Sequence, residues 1–311
     1  VVKVNFSTVF NQTLILFFLL LSGFVIKRLK VVDDHLSKNL TNVIIYLTLP
    51  ALIIDSMNYD FTLERLSNLR NVFIITLGIY IIMILFSYLV IRFLPTTDKE
   101  RDIFQFILIF SNAGFMGYPV VDVIFGSEGL FLAAIYNLVF NVLIWTLGVM
   151  IMSRSHQKDK GINFDELLNP GIISVGIGFL LFVFSIKLPV SISETLEILG
   201  HSTTPLSMLV VGSILAQVKV TDIFYNWKLW VISLIRLIIL PIGVLAILKA
   251  LPIELNSLVL GVSIILTGMP AAANTAIFAQ EFGGDAALAS EGVFLSTLLS
   301  VLTIPLIVYL L

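Results

Sequence analysis

Gly117-Tyr118-Pro119 lies inside one long apolar run of this chain, and Gly268-Met269-Pro270 lies inside another. Proline removes a backbone donor and clashes with the carbonyl four residues earlier, so a membrane helix carrying it in mid-span kinks or splits there. One Gly-x-Pro is an ordinary kink in a packed membrane helix. Here the two fall in the fourth and the ninth of ten apolar runs, which are corresponding places in two halves. The correspondence extends outward. Thr48-Leu49-Pro50 in the second run is matched by Thr203-Thr204-Pro205 in the seventh. Gly126-Ser127-Glu128 before the fifth run is matched by Gly283-Gly284-Asp285 before the tenth. Five runs per half means that the second half enters the membrane with opposite orientation. This pattern predicts an inverted repeat with broken helices.

The ten runs are 9–27, 36–57, 71–94, 103–125, 128–152, 170–187, 194–217, 227–250, 256–281 and 286–311. Each is long enough for a hydrocarbon layer of ~30 Å, with 170–187 the shortest. None has the alternating pattern of a membrane barrel strand. The expected class is therefore an all-α polytopic membrane protein, organised as 1–152, a polar linker 153–169, and 170–311. Composition agrees: of 311 residues, 58% are hydrophobic and 12% charged, with a mean hydropathy of +1.06. A soluble domain carries roughly twice that charge. A net charge of −2 gives no broad basic surface, so nucleic acid is not an expected partner. The absence of cysteine excludes disulfides, thiolate metal sites and cysteine nucleophiles. The chain opens Val1-Val2-Lys3 without Met, so a few further residues are expected upstream. The first apolar run lacks a small-residue cleavage pattern and reads as a span, not a signal peptide.

Lysine and arginine set the expected orientation. Loops on one side carry twelve: Lys27, Arg28, Lys30, Lys38, Arg92, Lys99, Arg101, Arg154, Lys158, Lys160, Lys219 and Lys228. The other side carries five: Lys3, Arg65, Arg70, Lys187 and Lys249. The positive-inside rule places both termini outside and 153–169 in the cytoplasm.

Broken helices have chemical consequences. Proline fits the start of a helix, so second half-helices are expected to begin at Pro119 and Pro270. Their N-termini would point into the membrane interior, each acting as roughly half a positive charge. Two such ends at a crossing could hold a carboxylate without any lysine. Ala271, Ala272 and Ala273 would let a partner backbone approach closely.

The segment Asn112-Ala113-Gly114-Phe115-Met116-Gly117-Tyr118-Pro119 resembles the Asn-x-x-x-Met-Gly-x-Pro segment in the fourth helix of PIN-FORMED auxin carriers. Pro270 followed by Phe278-Ala279-Gln280-Glu281-Phe282 is similar to their ninth-helix pattern, and Glu291-Gly292-Val293-Phe294 with Ile304-Pro305-Leu306 to their last helix. With bacterial relatives described as malate or malonate permeases, these form the auxin efflux carrier family. The short central loop, Gln280 in place of lysine and Ala113 in place of threonine point to a bacterial member, hence a bacterial inner membrane. The resemblance implies a ten-helix carrier with a sodium/proton-antiporter-like crossover fold. It implies scaffold helices 1, 2, 6 and 7, often the homodimer contact, and a moving transport domain of helices 3, 4, 5, 8, 9 and 10. Small organic anions, malate-like or auxin-like, would cross by an elevator motion. Asn112, Pro119 and Pro270 carry over by the matching motif as crossover residues.

Among polar residues, Asn112 is expected two helical turns below the break, with an amide able to donate to a carboxylate. Asn137 and Asn141 share one helix face, and Asn274 follows Pro270. Together with Gly117, Pro119 and Pro270 these make the expected substrate site, although packing is an equal reading for Asn137 and Asn141. Arg236, ten residues into a span, is either a substrate or gating residue or half of a buried ion pair with Asp122 or Glu291. Any of the three could couple charge or protons. Asp55, Glu128, Glu281 and Asp285 read as end-of-helix caps or solvated groups. His35, His156 and His201 read as boundary residues.

No His-Glu-x-x-His and no Ser/His set falls in a span, so no enzyme, metal or cofactor is expected. A transporter-fold ligand sensor is the rival from another class, and a sodium-coupled anion symporter the rival among carriers. Sodium would need carboxylate and carbonyl oxygens at the crossover, where alanines and asparagines stand instead.

Overall fold

The computed structural model describes residues 6–154, 170–216, 223, 225–251 and 255–311. Most of the linker, with His156, Lys158 and Lys160, lies outside the described residues, as do Lys3 and Lys219. Among the described residues the chain is helical, with one isolated antiparallel bridge and no strand. Hydrocarbon offers backbone groups no water, and a helix satisfies them within itself.

The helices are α1 (Phe6–Arg28), α2 (Asp34–Ser56), α3 (Leu63–Phe93), α4 (Asp98–Ile109), α5 (Gly117–Ser153) and α6 (Pro170–Val183). They continue as α7 (Val190–Leu215), α8 (Trp227–Ala250), α9 (Ser257–Thr267), α10 (Thr275–Phe282) and α11 (Ala286–Leu310). Six of these, α2, α3, α5, α7, α8 and α11, are each long and apolar enough to cross a membrane unaided. Helices α6 and α9 are shorter apolar helices. Within α5, Gly126 adopts φ 61° and ψ −159°, a backbone open essentially to glycine. It separates the fourth apolar run from the fifth, as the glycine turn suggests. Its counterpart Gly283 has φ 85° and closes α10, after which the Asp285 side chain caps α11 by accepting from the Leu288 amide at 3.0 Å.

Hydropathy marks the membrane-buried part of a helix and caps mark its true end. Helix α3 starts at Leu63, ahead of the apolar run, because Thr62 accepts from the Arg65 amide at 3.1 Å. Helix α4 starts at Asp98 behind a reciprocal capping box between Thr97 and Glu100.

Helices α1, α2, α6 and α7 pack among themselves. Helix α1 meets the Thr203–Leu215 half of α7 at backbone distance. A Cβ on Gly212 would fall 1.9 Å from the Leu20 carbonyl oxygen, and one on Gly23 would fall 2.2 Å from that of Leu209. Small residues at both faces are what allow this approach.

The two Gly-x-Pro motifs do interrupt their helices, but not where the prolines stand. Helix α4 ends at Ile109 and α5 begins at Gly117, so Pro119 is the third residue of the second half-helix. Helix α9 ends at Thr267 and α10 begins at Thr275, so Pro270 lies in the extended link. Asn112 therefore sits inside the first break, not two turns below it. The reason lies in backbone pairing. The Asn112 N–H donates to the Pro270 carbonyl at 2.8 Å and the Ala272 N–H donates to that of Phe110 at 3.0 Å. These bonds pair Ser111 with Ala271 in antiparallel register. Each break releases backbone groups that hydrocarbon cannot satisfy, and the two segments satisfy one another.

Candidate functional site

A cavity of about 610 Å³ opens beside these paired breaks. The first break supplies Ser111, Asn112, Gly114 and Phe115, and the second supplies Ala272, Ala273 and Asn274. Helix α5 adds Asn137, Asn141 and Trp145, α2 adds Ile44 to Tyr46, and α7 adds Thr203 and Ser207. Among the described residues, no residue of the lining is ionisable except tyrosine. Local widening to π geometry at Ile44–Thr48 and Ile144–Gly148 shapes two of these walls, a common irregularity at functional sites.

Three buried polar atoms around this cavity have no hydrogen-bond partner among the described residues, Asn112 Nδ2, Thr203 Oγ1 and Ser207 Oγ, and a fourth, Ser111 Oγ, lies toward the Tyr80 and Tyr136 hydroxyls without a well-formed bond to either. All four residues are at most 3% exposed. Burying a polar group without a partner costs about 1–3 kcal/mol, and these atoms are covered from solvent just behind the cavity wall. Thr203 and Ser207 stand one turn apart on α7 and escape sequence reading. The Thr-x-Pro repeat flags the first of them, since its counterpart Thr48 also has a buried, unpartnered hydroxyl.

The expected site residues divide. Asn112, Asn137, Asn141 and Asn274 all line the cavity. Asn137 is also structural, because its Nδ2 donates to the carbonyls of Ala113 at 3.2 Å and Ala133 at 3.1 Å. Asn141 Nδ2 in turn donates to the Asn137 carbonyl at 2.8 Å. Gly117, Pro119 and Pro270 shape the breaks but are not among the lining residues. A Cβ on Gly117 would fall 2.6 Å from the Leu266 side chain of α9, so the glycine permits close contact between the two half-helices.

Arg236 is fully buried at a third π turn, Ile235–Ile239, and does not line the cavity. Its Nη1 donates to the Leu108 carbonyl at 3.4 Å, near the C-terminal end of α4. Its Nε and Nη2 meet no acceptor among the described residues. The expected ion pair with Asp122 or Glu291 is absent: Arg236 has no carboxylate within 4.0 Å among the described residues. Its electrostatic neighbours are Tyr80 and Tyr136. Tyr136 Oη lies 3.3 Å from Thr267 Oγ1, at the end of α9. A cation here faces the negative end of α4. Asp122 is half-buried and interacts electrostatically with His201, and Glu291 is half-buried on α11. Glu128 pairs with Arg65 at 3.3 Å, while the side chain of Glu281 lies outside what is described.

The lining runs to the surface at one end among the described residues. It reaches exposed Asn42 and Tyr46, and Pro170–Ile173, at the end of the molecule that carries Lys38 and Arg154. Toward the other end the lining stops at Ile53 and Ala134. About one turn further, Met57 packs on Gly178, and Phe131 meets Phe182 edge-on with ring centroids 5.0 Å apart. Tyr59 covers Phe131 from the loop, and Arg65 stacks 4.6 Å from its ring. Burial, and then the Glu128 carboxylate, push the Tyr59 hydroxyl above the usual tyrosine range, so it stays neutral.

The cavity lies beside two broken helices, and comparison with known proteins decides the family. The family model for membrane transport proteins matches residues 8–308. The chain belongs to this family, the auxin efflux carriers. It is 25% identical over 303 residues to an uncharacterized transporter of Methanocaldococcus jannaschii, covering 95% of this chain and 96% of the relative. Identity is 28% over 289 residues to one of Methanothermobacter thermautotrophicus, covering 93% of each. It is 24% over 230 residues to the uncharacterized transporter YfdV of Escherichia coli strain K12, covering 70% of each. Membership makes the chain an integral membrane transporter.

Proposed function

We propose that this transporter moves a small organic anion, a mono- or dicarboxylate, held where the two breaks cross. The observation that carries the reading is a cavity beside the two paired breaks whose lining, among the described residues, holds asparagine and hydroxyl side chains and no charged one. Asn112 and the hydroxyl residues Ser111, Thr203 and Ser207 belong to this lining, and a turn of the side chain toward the ligand would let each donate to carboxylate oxygens. The segments leading into α5 and α10 line the same cavity, so the positive ends of two half-helices supply attraction without a fixed cation. Phe115, Phe140 and Trp145 supply apolar walls for the body of the ligand.

In this reading the chain has ten spans in two inverted sets of five, with α4 plus the start of α5 as the fourth and α9 plus α10 as the ninth. The mutually packed α1, α2, α6 and α7 are the scaffold and the contact for a homodimer. The remaining helices move as the transport body. Both termini lie outside, and the cavity opens to the cytoplasm. Counterflow tests the reading. Proteoliposomes preloaded with an unlabelled carboxylate should accumulate the labelled one, and Asn112→Ala should slow accumulation. Binding without flux would make the protein a sensor. Single cysteines replacing Arg65 and Lys158 test orientation on this cysteine-free chain: the first should be labelled from outside and the second from inside.

A further inference from the structure

A second cleft, of about 550 Å³, lies away from the cavity where the end of α3 meets the start of α4 and the end of α5. Three arginines line it, Arg92, Arg101 and Arg154, with Tyr88, Ile91, Leu94, Pro95, Thr96 and Gln105. Two of the arginines are fixed from beneath. Asp102, 3% exposed, takes a short bond from Arg154 and lies 3.6 Å from Arg101 Nε. Gln105, 1% exposed, accepts from Arg154 Nη2 at 2.9 Å. Arg101 also meets Asp98 at 2.9 Å. Arg101 Nε is itself buried without a hydrogen-bond partner among the described residues. Arg92 has no carboxylate within 4.0 Å among the described residues, so three guanidinium groups face two carboxylates and positive charge remains.

The surface leading into this cleft is apolar. On α3, Ile81, Leu85 and Tyr88 are 58%, 66% and 50% exposed, and Arg92 follows them on the same helical stripe. From Ile81 to Arg92 the helix rises about 16 Å, roughly the depth of one leaflet. A hydrocarbon stripe of leaflet length that ends in an arginine-lined cleft matches a chain with an anionic head. Guanidinium forks bind phosphate oxygens bidentately, which suits this head in particular. We infer that the Arg92–Arg101–Arg154 cleft binds the phosphate of an anionic phospholipid whose acyl chain lies along the Ile81–Leu85–Tyr88 stripe of α3.

The test counts lipids bound to the purified, delipidated chain by native mass spectrometry. The probes are phosphatidylglycerol, phosphatidylcholine with the same acyl chains, and inorganic phosphate as competitor. Phosphatidylglycerol should bind in preference to phosphatidylcholine, and inorganic phosphate at equal concentration should not displace it. Arg92→Gln breaks no ion pair among the described residues, so the protein should melt as before while binding falls about fivefold, the effect of one basic group near an anionic surface. Lys99→Gln, an exposed cation outside the cleft, should leave binding unchanged. Equal retention of both lipids would overturn the assignment. So would displacement by inorganic phosphate, which would make this a site for a soluble anion. A loss in Lys99→Gln equal to that in Arg92→Gln would also overturn it, by reducing the effect to general surface charge.

Discussion

The first break, 110–116, gives the cavity side chains: the polar Ser111 and Asn112, and Phe115 as an apolar wall. The second, 268–274, gives it two alanines and Asn274. Their supports differ in the same way. The first leans on Asn137, whose amide donates to Ala113, and on Arg236, which donates to Leu108 in the last turn of α4. The second hangs on Ser296 of α11, whose Oγ accepts from the Ala271 amide at 3.1 Å. One break thus carries polar side chains, and the other presents a small-residue backbone against which the first pairs. Sequence symmetry in such a repeat does not make the two halves chemically equal.

Loss of the second support should show the largest effect. Ser296→Ala leaves the Ala271 N–H buried without an acceptor, which should cost about 1–3 kcal/mol of stability, read as a lower melting temperature. An unchanged melting point would mean that the alanine segment needs no anchor. Arg236→Met comes next. With no carboxylate to strand, the loss should stay within about 2 kcal/mol, the upper range for a cation at a helix C-terminus. A drop of about 3–5 kcal/mol in the same denaturation assay would signal a buried ion pair instead. Asn137→Ala should be milder, about 0.5–1.5 kcal/mol for its hydrogen bonds to Ala113 and Ala133. Its weakened ligand affinity should track that loss of stability and not exceed it.

Much of this was legible in the residues. The paired Gly-x-Pro motifs locate both breaks, and the glycine turns at Gly126 and Gly283 do adopt positive φ. The four asparagines do converge on one cavity. The exact start of each half-helix was not legible, because proline marks a neighbourhood while the pairing of Asn112 with Pro270 and of Ala272 with Phe110 sets where the chain leaves the helix. Thr203 and Ser207 look like ordinary membrane-helix hydroxyls until α7 is seen beside the breaks. Arg236 could not be assigned a partner from spacing, since its neighbours Tyr80, Leu108 and Tyr136 come from three other helices.

The central claim is that the first break recognises the ligand, and affinity in Asn112→Ala tests it most directly. Titrating a transported carboxylate into purified wild type and Asn112→Ala, with melting temperature read on both, should show affinity weaker by about 0.5–1.5 kcal/mol, or more if the anion's charge is engaged. Folding should be intact, because the Asn112 side-chain Nδ2 has no hydrogen-bond partner to lose among the described residues. Equal affinity in the two proteins would place the ligand away from the break and contradict the account.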